Sequence, residues 1–171
     1  MIHMEKRTTS QPATRRRTWA AYAAAVWAGV FAVVSLYWAL GGLAGIDTVG
    51  GEIEKLARSG DGAVLAWGAA LLKVAGVVYA LALVQRWGRV FPRALMLTGG
   101  WAGTAVLIGY GGLTVGTEIL VAVGAVAPPA GIDWYAFYWH LALWDPYFLL
   151  WGVLLGIAVW HYQIDTRRSP A

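Results

Sequence analysis

The sequence predicts an all-α fold, a bundle of four transmembrane helices with its N-terminus and C-terminus both cytoplasmic, and three observations carry that prediction. Charged residues make up 13% of the chain, about half the roughly 25% of a soluble domain, so much of the surface must face something other than water. Four apolar runs, at about 19–43, 63–84, 95–121 and 141–162, each reach the roughly 20 residues that the hydrocarbon core demands. Lysine and arginine alternate with these runs, ten of them in the segments 1–18, 85–93 and 163–171 and two in the intervening loops. Such an imbalance in short loops fixes orientation, and basic residues at both ends require an even number of spans.

Taken in order, residues 1–18 are polar and basic, with Arg15, Arg16 and Arg17 in a row, and read as a disordered cytoplasmic tail. Trp19 to Leu43 holds no charge in 25 residues, too long for the roughly 7 to 15 apolar residues of a signal peptide, so it reads as an uncleaved first span. The segment 44–62 carries Asp47, Glu52, Glu54, Lys55, Arg58 and Asp61 between glycines and reads as the longer outer loop, with room for a short surface helix. The second span is interrupted only by Lys73. Arg86, Arg89 and Arg93 then mark a cytoplasmic hairpin. The third run ends at Pro128-Pro129, and the aromatic stretch from Trp134 to Trp144 has the composition of the headgroup level. The fourth span and a short tail, 163–171, complete the chain. Residues 19–162 thus form one transmembrane domain, a multi-pass protein of the cell membrane.

Several classes of function are excluded. With no cysteine, thiolate and dithiol chemistry are absent. The basic residues follow topology rather than one folded surface, so nucleic acid is not expected as a partner. The glycine pairs lack a phosphate-loop context. Two histidines on the last span, His140 and His161, are 21 residues apart, about 31 Å along a helix, too far to share a haem. No cofactor is expected.

The third span carries Gly99, Gly103, Gly109, Gly112 and Gly116, small residues that let backbones approach in lipid, so this helix is expected at the centre of the bundle. Lys73 lies ten residues into its span, roughly 15 Å deep and near the midplane. Its neighbours at helical spacing are small, so it points inward. A lysine there is a functional hypothesis with a partner to be named, and the candidates are Glu118 and Asp145. Glu118 shares a face with Thr104, Gly111 and Thr114. In Trp144-Asp145-Pro146 the aspartate has the position of a helix N-cap. The blander account of Lys73 and Glu118 is an ion pair that fixes register; that of His140 is an interfacial hydrogen bond. The candidate catalytic residues are Glu118, Asp145, Lys73 and His140, in an outer-half pocket walled by Tyr37, Trp38 and Trp144, with Lys73 as its floor. Glu118, His140 and Asp145 show no recognised metal-ligand spacing, so no metal site is assigned.

The stretch Leu36-Tyr37-Trp38-Ala39-Leu40-Gly41-Gly42, continuing through Gly45-Ile46-Asp47-Thr48 to Gly50-Gly51-Glu52-Ile53, joins the late Trp144-Asp145-Pro146-Tyr147-Phe148-Leu149-Leu150-Trp151-Gly152. Together these resemble a family of small four-helix membrane proteins of actinobacteria, catalogued as a domain of unknown function. The resemblance covers Trp19 to about Tyr162 and implies the fold but no activity. On function the residues leave two classes open. One is acid–base chemistry on a lipophilic lipid or isoprenoid substrate, where a carboxyl beside an apolar wall serves as proton donor. The other is a non-catalytic module that binds membrane lipids or a partner helix, or carries a small solute as a homo-oligomer.

Overall fold

The computed structural model describes residues 17–167, and all regular structure among them is helical. Four helical stretches are long and apolar enough to cross a bilayer: α1 (Trp19–Ala39), α3 (Ala63–Ala82), α4 (Arg93–Ala122) and a fourth from Trp134 to Arg167. With every span helical, each backbone polar group inside the membrane is satisfied within its own segment. The chain is a multi-pass membrane protein. The connection between α1 and α3 holds α2 (Gly51–Ser59), and the fourth stretch comprises α5 (Trp134–Trp139), one π turn (His140–Trp144) and α6 (Asp145–Arg167). The expected tail over residues 1–16 and the last four residues lie outside the described residues.

The helix bounds depart from the sequence expectation for local reasons. α1 stops at Ala39 rather than near 43, because Gly41 takes a left-handed φ of 92° that cannot continue a helix. The fourth stretch begins at Trp134 rather than near 141. Asp133 is the residue that caps it, its carboxylate accepting from Tyr135 N at 2.9 Å and Ala136 N at 3.2 Å, so the aromatic-rich segment is helical. Asp145 is not the cap expected for it; its backbone is helical and lies within the long stretch. Pro146 lacks the N–H a regular helix would use, and the π turn just before it absorbs that loss. At its far end α6 runs to Arg167. Arg93 Nε donates to Thr166 Oγ1 at 2.8 Å, Trp101 Nε1 to Gln163 Oε1 at 3.0 Å, and Arg17 pairs with Asp165 at 2.6 Å.

These contacts also place the two described ends of the chain at one end of the bundle, beside the Arg86–Arg93 hairpin. At the opposite end the two basic residues of the loop are neutralised by neighbours on α2, Lys55 by Glu52 and Arg58 by Glu54. Reporter fusions after Pro170 and within Ser59 to Gly62 are therefore expected on opposite sides of the membrane, with the former cytoplasmic. Same-side reporters would remove the four-span topology.

The bundle is ordered α3, α1, α6, α4: α1 packs on α3 and α6, and α6 on α4. In the most apolar window of each span, 44% of the residues of α1 and 39% of the fourth stretch are buried, against 11% in each of α3 and α4. The inner pair is therefore α1 with α6, and α4 is lateral rather than central. α1 achieves close contact with alanine, since Ala20, Ala21, Ala24, Ala25, Ala28 and Ala32 are all buried. On α4 the packed face is Met96, Gly100, Thr104 and Gly111. A Cβ on Gly111 would sit 2.5 Å from Leu149 N, and one on Gly152 of α6 2.9 Å from Ile108 N. Gly109, Gly112 and Gly116 face open space. Gly99 and Gly103, nearer the basic end, come near the side chains of Tyr79 and Leu155, so the two faces of α4 differ most in its outer half.

Candidate functional site

α3 and α4 are linked near the basic end, where the Tyr79 hydroxyl donates to Met96 O. Toward the α2 end both turn large side chains outward: Val64 and Leu65 of α3 are 84% and 59% exposed, and Tyr110 and Leu113 of α4 are 50% and 75% exposed. Between these faces lies a cavity of about 420 Å³. Its walls come from α1 (Phe31, Ser35, Trp38), α3 (Leu65, Ala66, Ala69, Lys73), Tyr110, and His140, Trp144 and Phe148 of the fourth stretch. Ile53, Leu56 and Ala57 of α2 cover its mouth.

The covering loop is drawn into the bundle rather than lying on it. Ile46 is 1% and Thr48 8% exposed. Thr48 Oγ1 donates to Gly45 O at 2.6 Å and accepts from Trp144 Nε1 at 3.2 Å. Gly50 has a positive φ of 63°, and a Cβ there would meet Ala136 Cβ at 2.6 Å. Only glycine both turns the chain and lets α5 approach. Trp38 and Trp144 face each other with ring centroids 5.4 Å apart, and Phe31 meets the edge of Trp144 at 5.2 Å. Tyr37 does not line the cavity: its ring covers Gly42 and its hydroxyl accepts from Ala44 N at 3.2 Å.

Lys73 does not pair with Glu118 or Asp145. Its Nζ donates to Ser35 Oγ at 2.8 Å, and no carboxylate lies within ion-pair distance of it among the described residues. The reason is positional: α3 packs on α1 and α4 on α6, and at the level of Lys73 the cavity parts α3 from α4. Lys73 opens into the cavity.

The two acids gather instead around His140. Asp145, 2% exposed, places Oδ2 at 2.8 Å from His140 Nδ1. His140 Nε2 is 3.1 Å from Val49 O. A carbonyl can only accept, so Nε2 carries a hydrogen and Nδ1 is the atom turned toward the acids. One ligand atom from each of Glu118, His140 and Asp145 lies within 4.8 Å of the others. Tyr110 and Thr114 border Asp145 as well. Residues 140 and 145 are five apart, about 140° around a regular helix; the π turn, with its i to i+5 bond, brings them onto one side. Glu118 reaches them from the α4 face that carries Thr104 and Gly111. Glu118 and Asp145 stand behind His140 and not on the cavity wall, whereas Trp38, Lys73, His140 and Trp144 line it.

A family model described as "Protein of unknown function (DUF3995)" matches residues 28–155, from the middle of α1 to the middle of α6. The chain belongs to the DUF3995 family. No curated protein and no solved structure matches it. The DUF3995 match spans the whole cavity and the whole acid–histidine cluster, from Phe31 to Phe148, and leaves out the contact of α6 with Arg17. Sequence reasoning missed Ser35, Thr48, Val49 and Tyr110. Ser35 carries a visible signal, the single serine in an otherwise apolar and aromatic run; the loop residues carry only the glycines around them.

Proposed function

We propose that the cavity takes a lipophilic molecule from the bilayer with an anionic or strongly electronegative group toward Lys73, and that His140, oriented by Asp145 and backed by Glu118, does acid–base chemistry on it. The observation that supports this reading is an ammonium group with no counter-charge, facing an otherwise apolar cavity. Such a cation is costly in a membrane and is retained where it has a partner to bind. A volume of about 420 Å³ falls within the roughly 300 to 1,000 Å³ of small-molecule sites, and a mostly apolar wall with a few convergent polar groups is the usual composition. The parted faces of α3 and α4 give a sideways route from lipid. By the distribution of Lys and Arg, the cavity lies in the outer half of the membrane.

One observation favours a purely binding role as the second reading. Both ring nitrogens of His140 are occupied, by Asp145 and Val49 O, so the imidazole meets a ligand only if that ligand displaces the carbonyl. The two readings separate in one experiment, mass spectrometry of lipophiles that copurify with the protein in native-membrane nanodiscs. We expect a lipophile with an anionic or carbonyl group to be enriched with the native chain and lost from Lys73→Met. A chemically different but related species on Asp145→Asn indicates turnover; the same species indicates binding alone. No enrichment with the native chain would sink both.

A further inference from the structure

We propose that Glu118, His140 and Asp145 form a site for a divalent first-row cation of the zinc type. Three electron-pair donors converge there, and among the described residues no arginine or lysine meets them. Asp145 is 2% exposed, its Oδ1 has no hydrogen-bond partner, and Glu118 Oε2 is likewise buried and unpartnered. A buried carboxylate oxygen without a partner is costly unless a proton or a cation lies on it. Both carboxylates lie apart from every arginine and lysine by ion-pair distance. A divalent ion would neutralise two of them with no charge left over.

The histidine geometry is the second and independent indication. Because Val49 O fixes the hydrogen on Nε2, neutral His140 turns a lone pair from Nδ1 toward the two acids. A ring nitrogen that donates to a backbone carbonyl while its partner nitrogen faces carboxylates is the arrangement that orients metal-bound histidines. The donor set, one imidazole and two carboxylates, suits a borderline ion with one coordination position open. Tetrahedral bonds of about 2.0 to 2.1 Å put ligand atoms about 3.3 Å apart. In the structure the three ligand atoms lie within 4.8 Å of one another. A groove of about 300 Å³ lined by Leu113, Thr114, Thr117 and Glu118 opens on the surface of α4.

The inference rests on the same cluster as the acid–base reading and deepens it, since an ion on Nδ1 would fix the orientation and charge of the imidazole that lines the cavity. It does not depend on the ligand of the cavity. The test uses the full chain in lipid nanodiscs, stripped with EDTA, reloaded with Zn²⁺ or Co²⁺ and desalted. Expected are about one metal per chain and visible absorption bands from bound Co²⁺. Glu118→Gln and His140→Gln, both nearly the shape of the native side chain, should each lower the affinity at least about tenfold. Lys73→Met should keep the full metal load while losing the lipophile, so the cavity reading and the metal site fail separately. The same metal load in the native chain and both folded variants would overturn the site. So would no metal above background together with a higher melting temperature for Glu118→Gln, the signature of two carboxyl groups sharing a proton.

Discussion

Replacing Gly111 by leucine is expected to lower the melting temperature of the detergent-solubilised protein more than any other single glycine change on α4, while Gly112→Leu leaves it nearly unchanged. The two positions are adjacent in sequence and opposite in surroundings. A Cβ on Gly111 would stand 2.5 Å from Leu149 N and 2.9 Å from Leu149 Cα, and backbone cannot rotate away as a side chain can. Gly112 has nothing within 4 Å of its added carbon. Leucine at 111 must therefore drive α4 from α6. Overpacking of this kind costs about 1 to 3 kcal/mol, at the upper end where backbone is the obstacle. In lipid no solvent effect pushes the helices back together, so a lost backbone approach is not replaced by generic apolar contact. Leucine at 112 meets acyl chains and should change stability by no more than about 0.5 kcal/mol. Since Gly111 also sets the height of Glu118 against Asp145, Gly111→Leu should weaken metal retention too. Equal melting curves for the two variants would show that the packed face of α4 is a different one.

The contrast shows what the sequence leaves undetermined. Run lengths and the alternation of basic loops are enough for four spans, because the thickness of the bilayer and the cost of burying charge act on each segment alone. Which face of a span meets protein is not so legible. In water the apolar face is the buried one; in lipid both faces are apolar, and small residues at 99, 103, 109, 112 and 116 look as good as those at 100, 104 and 111. The shared face of Glu118, Thr104 and Gly111 does follow from helical spacing, since α4 is regular over that range. The meeting of His140 with Asp145 does not, because it needs a π turn, and the nearest hint is Pro146, which forces an irregularity without saying where it falls. The inward course of Thr48 and Val49 is set by α5 pressing on Gly50, a contact between segments far apart in the chain. For Lys73 the general rule that buried charges pair points to Glu118 or Asp145. Instead α3 and α4 part at the level of Lys73, the cavity lies between them, and the lysine bonds to Ser35.

Lys73→Met is therefore expected to raise the melting temperature rather than lower it. A paired lysine, when removed, strands a carboxylate and destabilises the bundle by about 3 to 5 kcal/mol. An unpaired one leaves nothing behind but a hydroxyl, Ser35 Oγ, that loses one hydrogen bond. Insertion scales put the cost of a lysine at mid-membrane at about 2.5 to 3.5 kcal/mol. Lys73 is half-buried, opens on a cavity and keeps one hydrogen bond to Ser35, so about 1 to 2 kcal/mol of that cost is recoverable by methionine. Methionine also extends nearly as far as lysine and fills the same floor with a flexible apolar chain. The gain in stability should come with the loss of the copurifying lipophile, and this opposition separates a residue kept for binding from one kept for structure. Combining Lys73→Met with Glu118→Gln or Asp145→Asn should give additive changes in melting temperature, because the groups share no partner. A fall on Lys73→Met that either acid substitution then reverses would mean that, in the membrane, lysine and acid do meet, and the cavity would lose the free ammonium on which its proposed ligand depends.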